Sequence, residues 1–215
     1  MGGIPGRLQL SEELDLIKAA YITQLRHGPF TAKQLPARVD AVSNLLTSGY
    51  LSEQPIDGER RYSLTESGRK LIKVVLAGGV YDVLHVGHLA ALTEAKRLGD
   101  LLVVVVATDM TVDALKGRKP LFPEEDRRAL VEGLKPVDIA ILGYEDVGFG
   151  FEQVLAEVKP DLVAFGYDQE KLEKIVAEII RRRKLNVGIT RLSRFEGERY
   201  VSSSSLRQKL SEELS

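Results

Sequence analysis

Cysteine is absent from this chain of 215 residues, and so is any long hydrophobic run. Without cysteine there can be no disulfide bond and no thiolate metal site, so we expect a cytoplasmic protein. The longest apolar run, residues 101–107, is far shorter than the ~18 residues that cross a membrane, and we expect no membrane association. The opening residues, MGGIPGRLQLSEEL, also lack the charged and then apolar layout of a secretion signal.

An excess of charge of one sign is missing as well. The formal net charge is −1 at pH 7. Residues 1–73 carry 10 Lys and Arg against 8 Asp and Glu, and the remainder carries 20 against 23. Domains that bind nucleic acid usually show a clear basic patch or stripe. Charge alone therefore does not predict nucleic-acid binding for either part of the chain.

The first part of the chain has mostly helical patterning, interrupted by one strand-like segment. The predicted features, in chain order, are a helix start at Ser11, a helix end at Gly28 and Pro29, a second helix over 31–48 that is broken or started at Pro36, a hairpin turn over 55–58 and a helix cap at Thr65. We expect these residues to form a small domain over 1–72.

This order of helices, hairpin and helix resembles a winged helix-turn-helix domain. The resemblance implies DNA binding through the second helix and the hairpin. Few side chains of the second helix suit base readout or phosphate contact: Arg38, Ser43, Asn44 and Thr47. Weak DNA binding and a role in dimerisation or packing are therefore both open for residues 1–72.

The remainder of the chain alternates strand-like and helical segments, which predicts an α/β domain over 73–215. The predicted strands are 73–77, 101–107, 139–142, 162–165 and 187–192, and the predicted helices are 87–98, 123–134, 150–158 and 170–184. Such alternation favours a doubly wound, five-stranded parallel sheet of the Rossmann type. Ligands of these sheets bind beyond the carboxyl ends of the strands.

The segment GGVYDVLHVGH, residues 78–88, lies at the end of the first predicted strand of this domain. Its glycines allow a ligand to approach the backbone, and a helix start at Gly87 and His88 favours an anion. His85 and His88 are three residues apart, so one helical turn places both on one side. Two imidazoles at such a place predict a phosphate site. Two structural histidines, or a zinc pair without its other ligands, are the alternatives.

The segments after two further strands also carry polar candidates. Several basic residues follow the second predicted strand: Lys116, Arg118, Lys119, Arg127 and Arg128. They would either bind a triphosphate or form a solvated surface. FGYDQ, residues 165–169, ends the fourth predicted strand, with Gly166 and Asp168 as candidates. The serines 202–205 precede a terminal helical pattern, where they would bind phosphate or cap the helix.

GGVYDVLHVGH resembles the signature of the HxGH nucleotidyltransferases, the cytidylyltransferase-like superfamily. His85, Gly87, His88 and Asp82 match that signature, Tyr81 stands where phenylalanine is common, and Val80 stands where a threonine is often found. KGRKP and PEEDRRALVEGLKPVD resemble the lysine loop and the arginine helix of these enzymes, with Lys116 and Arg127 at the matching positions.

The resemblance is greatest to the archaeal FAD synthetase branch, and it implies a transfer of AMP from ATP to FMN with magnesium or another divalent cation. It implies four catalytic residues, namely His85, His88, Lys116 and Arg127. The implied nucleotide-binding residues are Gly78, Gly79, Val80, Tyr81, Asp82, Gly87, Gly166, Asp168, Ser202, Ser203 and Ser204. We also expect a homodimer.

Two alternatives remain open at this point. A CTP-dependent cytidylyltransferase for a small phosphorylated alcohol would share HxGH, although RYVSSSSLRQKL replaces the RTxGIST-type segment that such enzymes usually carry. A transcription regulator that senses a flavin or a nucleotide would combine the two predicted domains without turnover.

Overall fold

The computed structural model describes residues 10–35, 39–146, 150–194 and Glu212. The chain divides into two compact units, Met1–Lys73 and Val74–Ser215. The boundary that the sequence predicts lies one residue earlier. No helix among the described residues is both long enough and apolar enough to cross a membrane.

The first unit contains helices followed by a two-stranded antiparallel sheet. Its elements are α1 (Leu10–His27), a 3-10 turn (Ala32–Gln34), α2 (Val39–Thr47), β1 (Leu51–Ile56), β2 (Glu59–Leu64) and α3 (Glu66–Arg69). Ile17, Phe30 and Leu45 are fully buried and form the centre of its core. Phe30 also makes an isolated antiparallel bridge to Tyr62, which ties the segment after α1 to the hairpin.

Local signals in the sequence place most of these boundaries. The helix end at Gly28 is confirmed, since α1 stops at His27 and Gly28 has φ +70. The cap at Thr65 is confirmed too, because its hydroxyl accepts the N–H of Gly68 at 3.1 Å. The predicted cap at Ser11 is wrong: α1 already includes Leu10, so Ser11 lies in its first turn.

The hairpin turn is shorter than the sequence pattern predicts. Pro55 pairs with Arg60 inside the sheet, and only Asp57 and Gly58 form the connection, with φ +51 and +77. Positive φ at both central positions is typical of the tight turn that matches the twist of paired strands. The predicted break at Pro36 and the contact residue Arg38 lie outside the described residues.

The second unit is an α/β fold whose five strands are all parallel. Its elements are β3 (Val74–Gly79), α4 (Val86–Lys96), β4 (Leu101–Val106), α5 (Asp109–Lys116), α6 (Glu124–Glu132), β5 (Ile139–Leu142), α7 (Gly150–Val158), β6 (Leu162–Phe165), α8 (Glu170–Arg183) and β7 (Gly188–Arg191). The predicted fold class is confirmed. Helix α5 is the one described element of this unit that the sequence interpretation left out.

Apolar strands and two aspartates build the sheet. Most residues of β3 and β4 are buried, as expected for strands that are covered on both faces. Asp161 accepts the N–H of Val74 at 2.7 Å, and Asp138 accepts the N–H of Leu102 at 2.6 Å. Each carboxylate thus satisfies a backbone donor near the beginning of a neighbouring strand, which aligns the strand starts.

The strand order, β5-β4-β3-β6-β7, places β3 at the centre. The chain adds β4 and β5 on one side of β3 and then β6 and β7 on the other. The reversal makes the gap between β3 and β6 a topological switch point, and such gaps bind ligands at the carboxyl ends of the strands. The predicted phosphate motif follows β3, and FGYDQ follows β6.

Candidate active site

The two histidines of the predicted motif lie together at the start of α4. His85 is the N-cap residue, and its Nδ1 accepts the N–H of Gly87 at 3.2 Å. The neutral imidazole of His85 therefore carries its proton on Nε2. The rings of His85 and His88 stack with centroids 3.9 Å apart and planes inclined by 27°. The expectation that one helical turn brings both side chains together is confirmed.

Both imidazoles favour their neutral form. Burial lowers the pKa of His88 to about 4, with further lowering by His85 and by Lys116. Burial also lowers the pKa of His85. The Nδ1 atom of His88 is buried, and no hydrogen-bond partner for it lies within the described part of the chain. A buried polar atom of this kind needs an explanation, and a role in ligand binding or catalysis is one.

The backbone between β3 and α4 is strained at Tyr81. This residue has φ +53, a left-handed conformation that a bulky side chain rarely adopts. Its buried ring lies directly against Gly79, where an added Cβ would come within 2.9 Å of the ring, and makes an edge contact with His88 at 5.3 Å. Burial raises the pKa of the Tyr81 phenol. Only glycine at position 79 leaves space for this ring, and the ring in turn supports His88.

Asp82 anchors the basic loop that follows α5. Its buried carboxylate accepts the N–H of Leu121 at 2.6 Å and lies 3.3 Å from a guanidinium nitrogen of Arg118. A carboxylate that binds a backbone N–H and an arginine fixes both groups strongly. In this arrangement Asp82 positions the loop, and nucleotide contact by Asp82 stays a prediction.

Lys116 is the last residue of α5 and does not lie in a loop, contrary to the sequence interpretation. The helix ends at Gly117, which has φ +63, a conformation that favours glycine. Burial and Arg118 lower the pKa of Lys116, while Asp168 raises it. Lys116 also acts on the pKa of His88. The charge of Lys116 thus interacts with those of His88 and Asp168, which lie on the segments that follow β3 and β6.

Arg127 is fully buried, and protein acceptors occupy its guanidinium. It donates to the carbonyl of Val80 at 2.6 Å, to the carbonyl of Phe122 at 2.9 Å and to the carboxylate of Asp109 at 2.6 Å. The side chain thus joins the loop after β3 to the starts of α5 and α6. This geometry is that of a positioning residue, and direct contact of Arg127 with a triphosphate stays a prediction.

The residues after β6 form a tight turn beside this site. The backbone N–H of Gln169 donates to the carbonyl of Gly166 at 3.0 Å. Its side-chain Oε1 accepts the N–H of Gly166 at 2.8 Å, and its Nε2 donates to the carbonyl of Gly78 at 2.9 Å. Asp168 lies at the exposed tip of the turn. The guanidinium of Arg194 lies 5.5 Å from the ring centre of Tyr167, within the range of a cation–π contact.

The structure brings the predicted residues of three chain segments together at the carboxyl ends of β3, β4 and β6. The predicted Ser202, Ser203 and Ser204 lie outside the described residues. The sequence interpretation missed several polar residues that hold these segments: Asp109, Glu124 and Gln169. Glu124 accepts the N–H of Asp109 at 2.6 Å, and its place in the first turn of α6 was the available signal. Asp109 follows a buried strand after two residues, which was a signal too.

Known proteins resemble this second unit closely. An FAD synthase of Aciduliprofundum boonei is 47% identical over 121 residues, which are 56% of this chain and 78% of that protein. An FAD synthase of Picrophilus torridus is 41% identical over 138 residues, which are 64% of this chain and 96% of that protein.

A crystal structure of a Thermoplasma volcanium protein, described as a lipopolysaccharide core biosynthesis protein, is similar to this fold. It is 41% identical, with a TM-score of 0.51, and the match covers 58% of this chain and 99% of that one. The family model described as cytidylyltransferase-like matches residues 76–209, which include the histidine motif, the basic loop and the turn after β6. The chain belongs to the cytidylyltransferase-like family.

Proposed function

We propose that this protein is an FMN adenylyltransferase, which joins ATP and FMN into FAD and releases pyrophosphate. One observation carries the proposal: the stacked pair His85 and His88 lies at the start of α4, beyond the central strand. Relatives that are 41 to 47% identical and bear the name FAD synthase support the choice of flavin and adenine.

The reaction needs positioning and charge stabilisation rather than a covalent enzyme intermediate. A phosphate oxygen of FMN attacks the α-phosphorus of ATP, a new P–O bond forms, and the bond to the β-phosphate breaks. Negative charge shifts to the non-bridging oxygens and to the leaving pyrophosphate. The Nε2–H of His85 and the ammonium of Lys116 are donors suited to these oxygens, and fixed donors cost no reorganisation during the reaction.

The neutral state of the histidines agrees with this role. A lowered pKa leaves His85 and His88 uncharged in the free protein near neutral pH. A neutral imidazole binds a triphosphate through one N–H, and the arriving negative charge then favours protonation of the ring. The charge of the site thereby increases when the substrate is present, which is when the transition state requires it.

Magnesium is proposed as the companion of the triphosphate. Within the described part of the chain, no group of three His, Asp or Glu side chains could hold a metal ion. Magnesium retains most of its waters and binds nucleotides mainly through phosphate oxygens, so it does not need such a group. The ion would supply charge neutralisation to the triphosphate, and the protein residues bind and orient that complex.

The test is a direct assay of substrate pairs. The protein is incubated with ATP or CTP, with FMN or with a small phosphorylated alcohol, and pyrophosphate release is followed. We expect pyrophosphate release, with FAD as the other product, for the pair ATP and FMN and for no other pair. Turnover with CTP and a phosphorylated alcohol would instead support a cytidylyltransferase. Nucleotide or flavin binding without any turnover would support a sensing regulator.

A further inference from the structure

The side-chain amide of Gln169 joins the segments at the ends of two central strands. The parallel pairing of β3 with β6 reaches Ala77 and Ala164. Beyond this point the amide accepts the N–H of Gly166 at 2.8 Å and donates to the carbonyl of Gly78 at 2.9 Å. Gln169 therefore connects the two strands where the proposed nucleotide site begins.

Gln169 also fixes the turn that follows β6. Its backbone N–H binds the carbonyl of Gly166 while its side chain binds the N–H of the same residue. Both backbone polar groups of Gly166 are thus held by one residue. The two residues between them, Tyr167 and Asp168, are exposed at the tip of the turn. The side chain of Gln169 reaches from this turn across to β3.

The chemistry of the link is specific. One end of the side chain must accept a hydrogen bond and the other must donate one, and a primary amide does both. A carboxylate only accepts, and a thioether is a poor partner for either group. An amide, or a carboxylic acid in its protonated form, can satisfy Gly166 and Gly78 together with little change in side-chain shape.

The turn is part of the proposed site because of its neighbours. The carbonyl to which Gln169 donates belongs to Gly78, the first residue of the histidine motif, and the charge of Asp168 raises the pKa of Lys116. A movement of the turn would therefore change the charge around Lys116 and the space beside the histidines. The link through Gln169 holds this geometry in place before the nucleotide arrives.

We infer that Gln169 is a positioning residue for nucleoside triphosphate binding: its amide holds the turn over 166–169 against the end of β3, where the histidine motif begins. This inference rests on the proposed nucleotidyl transfer. A purely structural role would lower the stability of the fold without a selective effect on nucleotide affinity.

Two variants separate these roles. Gln169→Met keeps the approximate shape of the side chain and removes both hydrogen bonds. In the Gln169→Glu variant the ionised carboxylate can accept hydrogen bonds but cannot donate one. Its negative charge then lies against the carbonyl of Gly78. When protonated, its carboxyl group can accept from Gly166 and donate to Gly78, as the amide does. The neighbouring carbonyl raises the pH at which this protonation occurs.

The measurement is the dissociation constant of ATP, and in parallel of CTP, by titration calorimetry from pH 8 to pH 5. Each value is expressed as a ratio to the unaltered protein at the same pH, which cancels the titration of the histidines and the nucleotide. At pH 8 we expect both variants to bind about tenfold more weakly or worse, as the loss of two hydrogen bonds implies. Towards pH 5 the Gln169→Glu ratio should return towards one, while the Gln169→Met ratio stays unchanged.

Gln153→Glu is the matched control, since Gln153 is exposed on α7 and its ratio should stay near one at every pH. Melting temperatures of all variants are measured at each pH. Unchanged ATP affinity in both Gln169 variants, or lower melting temperatures with normal affinity, would overturn the inference. A Gln169→Glu ratio that does not recover would overturn it as well.

The same samples distinguish this inference from the proposed function. If the unaltered protein makes FAD while the Gln169→Glu ratio stays flat, only the role of Gln169 fails. If the ratio recovers but no pyrophosphate forms with ATP and FMN, the proposed function fails and the role of Gln169 stands. If the unaltered protein binds neither ATP nor CTP, both proposals fail.

Discussion

The guanidinium of Arg127 donates a 2.6 Å hydrogen bond to the carbonyl oxygen of Val80, from a position where the arginine is fully buried. Val80 directly precedes the strained Tyr81, whose ring contacts His88. The arginine therefore supports the histidine motif through the backbone of Val80 and the ring of Tyr81. Its other two acceptors, Phe122 and Asp109, tie the same guanidinium to the neighbouring helices.

Removal of this guanidinium should affect both stability and turnover. Arg127→Ala leaves a carboxylate and two carbonyls without their donor, and we expect a loss of about 3 to 5 kcal/mol in the free energy of unfolding. Arg127→Lys should also be defective, because an ammonium group lacks the planar fork that reaches three acceptors. Denaturant unfolding and pyrophosphate release measure the two effects.

Arg128→Ala is the control for this experiment. Arg128 is the next residue on α6 and pairs at the surface with Glu125 and Glu132. Exposed ion pairs contribute little, so its loss should cost within about 1 kcal/mol. Equal unfolding free energies for the Arg127→Ala variant and the unaltered protein would contradict the positioning role.

The second prediction concerns the stacked histidines. His85→Ala and His88→Ala should each lower turnover about 10²- to 10³-fold, as the loss of one fixed oxyanion donor does in other enzymes. His27→Ala is the control, since His27 is exposed at the end of α1 and should leave turnover unchanged. Circular dichroism verifies that the variants are folded. Turnover near that of the unaltered protein in both active-site variants would remove the histidines from the mechanism.

The third prediction is a pH dependence. The pKa of His88 is lowered to about 4, so between pH 6.5 and pH 4 the unfolded chain binds a proton that the folded chain does not. The contribution of His88 to the free energy of unfolding is therefore fully present above about pH 6.5, and it is lost progressively as the pH falls towards 4. The contribution of His88 to this loss is at most about 3 kcal/mol.

The chain has 3 histidines, so NMR can follow each imidazole separately. We expect the pKa of His88 to lie below the ordinary histidine value of about 6.5 in the free protein, and to rise when ATP is added. His88→Asn should remove part of the acid sensitivity of unfolding. An unperturbed titration of His88 near pH 6.5 would show that the ring is hydrated and would contradict its burial.

The fourth prediction concerns the cation beside the histidines. Lys116→Ala should raise the KM for ATP, lower kcat, or both, with a combined loss of about 10- to 100-fold in kcat/KM, since a hydrogen bond from a charged donor is lost. Lys119→Ala removes an equal charge from the exposed loop that follows and should change kcat/KM by less than about twofold. Equal losses of kcat/KM in the two variants would indicate that the total positive charge of this segment matters, rather than a specific contact of Lys116 with ATP.

The strands and the histidine motif could be predicted from sequence because their signals are local. The segments 139–142 and 162–165 are continuous apolar runs between turn residues, and they are strands with these bounds. Helix α5 was missed because Thr108, its cap, and Gly117, its end, enclose only 8 residues with mixed polarity. A short helix of this kind depends on contacts with Glu124, which is distant in sequence.

The roles of Arg127 and Gln169 could not be read from the sequence for a related reason. A basic residue on a helix beside a phosphate motif has the same pattern whether it meets a ligand or the backbone. Its partner, the carbonyl of Val80, is 47 residues away, and the link from Gln169 to Gly78 spans 91 residues. Backbone acceptors leave no trace in side-chain identity, so only the structure reveals them.

The last prediction concerns residues 1–72 and begins with the hairpin of the first unit. Arg60 lies 3.6 Å from Glu53, and Arg61 lies 3.1 Å from Glu59. Both arginines that would approach phosphate on a winged-helix hairpin thus have a carboxylate nearby. We propose that DNA binding by this unit is weak, requires a homodimer and is reduced steeply by salt, because few phosphate contacts remain for each copy.

Neutral variants test the role of these carboxylates. Glu53→Gln and Glu59→Gln leave both arginines in place and remove the competing charge, so each should tighten binding to genomic DNA fragments at low salt. Gel-shift titrations at low and moderate salt measure the affinity, and sedimentation establishes whether the bound species is a dimer. Absence of binding at low salt, even in the double variant, would leave the unit as a packing or dimerisation module.

Deletion of residues 1–72 tests whether this unit is separable from catalysis. The stacked histidines, Lys116 and the turn over 166–169 all belong to the second unit, Val74–Ser215. The match to the FAD synthase of Picrophilus torridus covers 96% of that protein with only 64% of this chain. That relative is therefore about as long as the second unit by itself. We therefore expect the shortened chain to fold and to keep pyrophosphate release within a few fold of the full chain. If the shortened chain folds but no longer releases pyrophosphate, the residues of the second unit are insufficient for turnover and the first unit is required.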